Sequence, residues 1–177
     1  MTERVLVIGA GGFSKAVVDT LRSLPSLQLA GFLDDRPPDE LLHGYGGPVI
    51  GPVRDLHRYR GLAEMVVIAI GNTAARAAIF EQARSAGFTL PALVHPRAYV
   101  ANDVRIGQGV IVMAGAVIGA SSTLGDGCLV NAGAVLDHDC VVGRFAHIGI
   151  AASMGGGAHL AEGGWLRQGQ TLQPEHQ

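Results

Sequence analysis

Residues 100–172, written in sixes, read VANDVR IGQGVI VMAGAV IGASST LGDGCL VNAGAV LDHDCV VGRFAH IGIAAS MGGGAH LAEGGW LRQGQT L. The first letter of each group is apolar thirteen times in succession: Val100, Ile106, Val112, Ile118, Leu124, Val130, Leu136, Val142, Ile148, Met154, Leu160, Leu166 and Leu172. The fifth letter is small almost throughout, running from Val104 and Val110 through Ala116, Ser122, Cys128, Ala134 and Cys140 to Ala158 and Gly164. The second letter is often glycine, as at Gly107, Gly119, Gly125, Gly143, Gly149 and Gly155. A period of six is neither the 3.6 of a helix nor the 2 of a flat strand. It is the hexapeptide signature of a parallel β-helix.

Each hexad predicts a short strand and a corner, with three hexads closing a triangular coil of about eighteen residues. The large aliphatic points inward and the small residue fills the corner. Glycine is expected to supply the tight turn there without a Cβ penalty. A single coil cannot bury its own interior. About four stacked coils between Val100 and Thr171 form a continuous core.

The chain has 177 residues, enough for one large domain or two small ones. Aromatics are 5% of a chain that is 48% hydrophobic, so the interior is built of Val, Ile, Leu and Ala. Glycine is 26 of 177, which suits many corners. A net charge of −2 and the lack of a basic stripe give no reason to expect a nucleic-acid or acidic-membrane partner. Met1-Thr2-Glu3-Arg4 leads directly into a strand-like run, so no signal peptide is expected. The uncharged stretch from Gly109 to Gly125 keeps the hexad rhythm and its glycines, which argues for buried coil over a membrane span. Cys128 and Cys140 both fall at the small inward position. They are expected to be buried free thiols in a reducing cytoplasm, and their spacing does not make a metal site.

Upstream, Arg4 to Ile8 reads as a buried strand, followed by Gly9-Ala10-Gly11-Gly12 and a helix from about Ser14 to Leu24. Strand, glycine turn and helix open a nucleotide-binding βαβ unit, in which backbone amides at the helix N-terminus suit a phosphate. The glycines also read as a tight turn and nothing more, since Ser14 stands where the dinucleotide fingerprint has its third glycine. Leu27 to Leu33 is a second strand ending at Asp34-Asp35. These carboxylates suit a ribose or base edge, or equally a turn before Pro37-Pro38. A loop from Asp39 to Pro48 and a short helix over Val53 to Tyr59 follow. Met65 to Ile70 is a further strand, closed by Gly71-Asn72, and a helix runs from Thr73 to Ala86 with Gly87 as its cap. Leu90 to Val94 is expected as the last strand of this α/β domain, with His95-Pro96 the joint to the coils. Gly9 to Gly12, Asp34-Asp35 and Gly71-Asn72 all fall at strand carboxyl ends, which implies one crevice.

An eighteen-residue ruler sets His138 one coil from Gly156. An exposed imidazole beside bare backbone can serve as general base next to an N–H that donates to a developing oxyanion. Asp139 is placed to orient the ring. His147 aligns with Trp165, which suits either a site or simple packing, and Gly155 to Gly157 can equally exist only for their corner.

On IGAGGFSKAVVD from Ile8, FLDD from Phe32, AIGN from Ala69 with Arg76, LVHPRAYV from Leu93 and NAGAVLDHDCVVGRFAHIG from Asn131, the chain resembles the bacterial sialic acid O-acetyltransferase-type sugar acetyltransferases. That group includes the UDP-4-amino-sugar and perosamine N-acetyltransferases. The resemblance implies a Rossmann-like nucleotide-sugar-binding domain over 1–94 and a left-handed β-helix over 95–177. It further implies a cytoplasmic homotrimer, acetyl-CoA as co-substrate, no metal, and a nucleotide-linked amino sugar as acceptor in surface glycan synthesis. By the same resemblance His138 is the catalytic base assisted by Asp139, and Gly156 and His147 contact the acetyl group. Gly9, Gly11, Gly12, Lys15, Asp34, Asp35, Gly71 and Asn72 then form the nucleotide-sugar site. The chain departs from the family in carrying Phe13-Ser14 for His-Gly. It also departs in stopping at Gln177, about a coil short, where a polar end with Gln173, Glu175 and His176 stands in for a cap. Two other readings compete: a sugar O-acetyltransferase, and an impaired homologue that binds nucleotide or scaffolds a partner. A metal hydrolyase of the gamma-carbonic-anhydrase kind needs converging histidines that His138, His147 and His159 do not pattern.

Overall fold

The computed structural model describes residues 2–36 and 46–174. The chain divides into two compact units, Met1–Pro91 and Ala92–Gln177. The reading of residues 39–45 as loop, the Pro37-Pro38 turn, and Glu175 and His176 at the polar end lie outside the described residues.

Among the described residues the first unit is a four-stranded parallel sheet with two α-helices. Its elements are β1 (Glu3–Ile8), α1 (Gly12–Arg22), β2 (Leu27–Leu33), β3 (Val49–Gly51), β4 (Met65–Ile68) and α2 (Thr73–Ser85), and the strand order is β3-β2-β1-β4. Val5 to Ile8 of β1 are apolar on both faces and wholly buried, as expected of a central parallel strand. Val17, Val18 and Leu21 of α1 and Phe80 and Ala83 of α2 are buried as well. A 3-10 helix, Val53–Tyr59, stands where the short helix is expected. β3 is not legible in the sequence, since three half-buried residues carry no period.

The second unit is a parallel β-helix. Two-residue strands recur every six residues from Leu93–Val94 to Thr171–Leu172 and stack into three sheets. Register is eighteen residues throughout, with Arg105, Thr123, Val141 and His159 paired in succession. The inward letters fill one core, from Val112, Ile118 and Leu124 to Met154. Ala116, Cys128, Ala134, Cys140, Ala146, Ala152 and Ala158 are fully buried at the corners. Both cysteines are free thiols. Among the described residues no helix is long and apolar enough to cross a membrane.

Two expectations are corrected. Leu93–Val94 is not a strand of the α/β sheet; it pairs with Ile111–Val112 as the first rung of the solenoid. Instead Thr89 bridges to Met65 at the sheet's edge. The units therefore part after Pro91, three residues ahead of the expected joint.

The second correction concerns the second-letter glycines, which do not make the turns. A Cβ on Gly119 would stand 2.7 Å from the Asp137 carbonyl carbon and 2.8 Å from the His138 nitrogen of the next coil. Close approach of successive coils is what excludes a side chain there. The left-handed corner residue is instead the fourth letter, glycine at positions such as Gly133 (φ 66) and non-glycine at Ser121, Asp139, Phe145 and Ala151.

These two causes separate experimentally. Gly119→Ala is expected to lower the unfolding free energy by about 1–3 kcal/mol through overpacking. Gly133→Asn, with nothing within 4 Å of the added Cβ and a residue type tolerant of the left-handed region, is expected to cost less. Denaturant titration of both variants measures the difference, and equal losses would contradict the assignment.

Candidate functional site

His138 sits at the corner between strands Val135–Leu136 and Val141–Val142. Its backbone is tied on three sides. Its N–H donates to Asp137 Oδ1 at 2.8 Å, its carbonyl accepts from the Gly157 N–H at 2.8 Å, and the next residue, Asp139, donates its N–H to Ala120 O at 2.9 Å. Asp139 adopts the left-handed conformation, φ 58. Its carboxylate Oδ2 lies 2.7 Å from His138 Nδ1. When Nδ1–H donates there, Nε2 carries the lone pair of the neutral ring.

That ring lies against Gly156 of the next coil. A Cβ on Gly156 would stand 2.6 Å from Nε2 and 2.7 Å from Cε1, so any side chain would displace the imidazole. Among the described residues the Gly156 N–H has no acceptor. The corner thus joins a solvent-facing base, with His138 and Asp139 each 62% exposed, to an uncommitted backbone donor. The hydrogen bond to Asp139, then the negative charge of Asp137, raise the His138 pKa above its ordinary 6.5. Cys140 lies just inside the same corner, its Sγ directed to Gly155 O at 3.4 Å. Burial pushes that thiol up, which makes it a poor nucleophile at neutral pH.

His147 pairs in register with Trp165, rings stacked at 5.0 Å and 9°, with the Arg167 guanidinium 3.9 Å beyond the indole. It belongs to the sheet of Leu129 and Ile111, the face of the triangle that does not meet the His138 corner. One chain does not bring the two histidines together. His147 is only 8% exposed, as packing under Trp165 requires.

In the first unit a crevice of about 420 Å³ opens at the carboxyl ends of the strands. It is lined by Gly9, Gly11, Gly12, Asp34, Asp35 and Gly71 of the expected set. Lys15, exposed on α1, and Asn72 do not line it. The Asn72 side chain accepts from the Ala75 N–H at 2.9 Å and caps α2. Asp35 Oδ1 accepts from the Val53 N–H at 2.8 Å, which fixes the start of the 3-10 helix. Ser14, in place of a third glycine, is buried and donates its hydroxyl to Gly11 O at 2.6 Å.

Asp34 binds protein at both oxygens: Oδ2 accepts from the Ala10 N–H at 2.7 Å and from Arg36 Nη2 at 2.6 Å, and Oδ1 from the Arg36 N–H and Nε, each at 2.9 Å. Burial pushes its carboxyl up. The hydrogen bonds from Arg36 and Ala10 outweigh that and hold it below the usual range. Buried Arg76 donates Nη1 to the carbonyls of Ile70 and Gly71, both at 2.9 Å, and so fixes the crevice wall. Arg36 lines the crevice but is absent from the sequence-derived set; its one signal is a cation directly after Asp34-Asp35. Among the described residues no group of three or more His, Cys, Asp and Glu side chains is arranged to hold a metal ion.

Comparison with known proteins bears on both units. The PglD N-terminal domain family matches residues 4–83. A histidine-to-asparagine variant of perosamine N-acetyltransferase from Caulobacter crescentus, solved with CoA and GDP-perosamine, is 35% identical. It matches 96% of this chain and 80% of its own, with a TM-score of 0.88. The acetyltransferase domain of PglB from Neisseria gonorrhoeae, solved with acetyl coenzyme A, is 33% identical over 98% of this chain and 94% of its own, with a TM-score of 0.81. No curated protein matches the chain. The stacked parallel sheets are those of a left-handed β-helix acetyltransferase.

The His138 geometry carries its own test. Imidazole titration by NMR should give His138 a pKa above the ordinary value, and Asp139→Asn should lower it, because the carboxylate favours the charged ring. An unmoved titration in Asp139→Asn would show that the pair is not formed in solution.

Proposed function

The chain belongs to the UDP- and GDP-amino-sugar N-acetyltransferases, and on that premise we propose that it moves an acetyl group from acetyl-CoA to the amine of a nucleotide-linked sugar. The observation that carries the reading is the imidazole of His138, oriented by Asp139 and lying against the bare backbone of Gly156.

The chemistry follows from those groups. The neutral amine attacks the thioester carbonyl, forming the C–N bond, while His138 Nε2 takes the amine proton. The Gly156 N–H donates to the carbonyl oxygen as negative charge develops there. The C–S bond then breaks, and the imidazolium returns its proton to the departing thiolate. Asp139 holds the ring and stabilises its cationic form during the step. Since the base works only when neutral and its pKa is raised, kcat/KM should climb with pH through a value above 6.5.

We read the first unit as a Rossmann-like domain that holds the nucleotide sugar in its crevice. The wider role is synthesis of surface glycan, in the cytoplasm, where acetyl-CoA is available. Assembly is read as a homotrimer. Its support is an exposed apolar stripe on one solenoid face, Tyr99, Val117 and Val135, which are 63%, 37% and 45% exposed and stacked in register. A neighbouring copy would also supply the His147 that one chain cannot bring to the His138 corner.

His138→Ala is expected to lower turnover by about 10²-fold or more. Nucleotide-sugar affinity should be nearly unchanged. Thiol release from acetyl-CoA with a panel of UDP-, GDP- and dTDP-amino sugars measures the first, and calorimetry the second. Turnover equal to that of the wild type would remove His138 from the mechanism. In sedimentation velocity, Val135→Asp should shift the assembly towards monomer. A variant that keeps the wild-type sedimentation coefficient would exclude that face as the interface.

A further inference from the structure

The crevice of the first unit holds a cation that the glycine turn and the helix start do not account for. Arg36 grips the buried Asp34 through Nε and Nη2, at 2.9 and 2.6 Å. Asp34 is 7% exposed and Arg36 42%, so the carboxylate is the buried partner and the guanidinium the accessible one. The same carboxylate accepts the Ala10 N–H, which fastens the pair to the turn between β1 and α1. The guanidinium consequently lies over Gly11, where a Cβ would stand 3.2 Å from Nη2 and 3.4 Å from Nη1.

Directly beside it α1 begins. The N-cap is Gly11, with no side-chain cap and no acidic residue in the first turn. Among the described residues the N–H groups of Gly11, Gly12 and Phe13 have no acceptor. Three backbone donors, the positive end of a helix and a forked cation therefore converge on one wall of the crevice. Asp34, by contrast, has both oxygens engaged within the protein, which suits it to hold a neighbour and not to receive a ligand.

We propose that Arg36, positioned by Asp34 over the Gly11 turn, is the residue that binds the diphosphate of the nucleotide-linked substrate. The inference rests on the crevice being the nucleotide-sugar site. It also revises the roles within that site, because Asp34 becomes a positioning residue and Arg36, absent from the expected set, takes the diphosphate. An arginine fork matches paired phosphate oxygens better than a lysine point charge.

Calorimetry of the full chain with UDP and with GDP tests it. Arg36→Ala should weaken whichever diphosphate the wild type binds by about tenfold to a hundredfold, the loss of one charge-assisted contact. Arg36→Lys should recover part of that loss. Acetyl-CoA affinity, read on the same samples, should not change, which guards against a misfolded variant. Asp34→Asn should weaken the diphosphate in the wild-type background and add little on top of Arg36→Ala, as a positioning role requires. Unchanged diphosphate affinity in Arg36→Ala would overturn the assignment and leave the crevice reading standing. A wild-type chain that binds neither diphosphate would overturn both.

Discussion

Main-chain hydrogen bonds between strands paired eighteen residues apart in sequence join one coil to the next, and the rest of the solenoid answers to that spacing. Such bonds hold neighbouring strands about 4.8 Å apart. At that distance a Cβ on Gly119 or Gly125 would run into the backbone of the next coil, which is why both are glycine although their φ is unexceptional. The corner beyond them must turn left-handed, and the residue after the corner must be small. Sterics thus constrain the second, fourth and fifth letters at many hexads, and the first fills the core. The third and sixth letters are left for surface and chemistry.

The His138 corner uses that freedom. Asp139 occupies a left-handed position that glycine takes at most other corners, so its carboxylate is held next to the ring at some cost in backbone energy. Gly156, one coil on, leaves its backbone bare against the imidazole. The first unit follows a similar plan by other means. There a buried carboxylate, Asp34, presents an arginine over a glycine turn, and the arginine is the more accessible of the two. In both places an aspartate is spent on orienting a basic partner.

Much of this was legible in the sequence because a period of six has few competing explanations. The eighteen-residue ruler alone put His138 against Gly156, and strand, glycine turn and helix located the crevice. Three things escaped. Val94 already belongs to the hexad series, but His95-Pro96 looked like a joint, and only strand pairing shows the rung continuing past it. At the end of a strand Asn72 reads as a ligand; whether its amide caps a helix or faces a substrate is decided by local geometry that spacing does not encode. Arg36 is hidden from the sequence for the same reason. A cation two residues from an aspartate is ordinary in a turn, and its importance comes from folding back over Gly11.

The solenoid's register also limits how such a chain can change its length. Loss or gain of a whole coil keeps every aliphatic pointing inward and every corner in line. Excision of a single residue between Cys140 and Gly155 would slide Gly157 into the place of Gly156 over the imidazole and send each later aliphatic out into water. Frame, in this half of the molecule, is a property of the protein as well as of its gene.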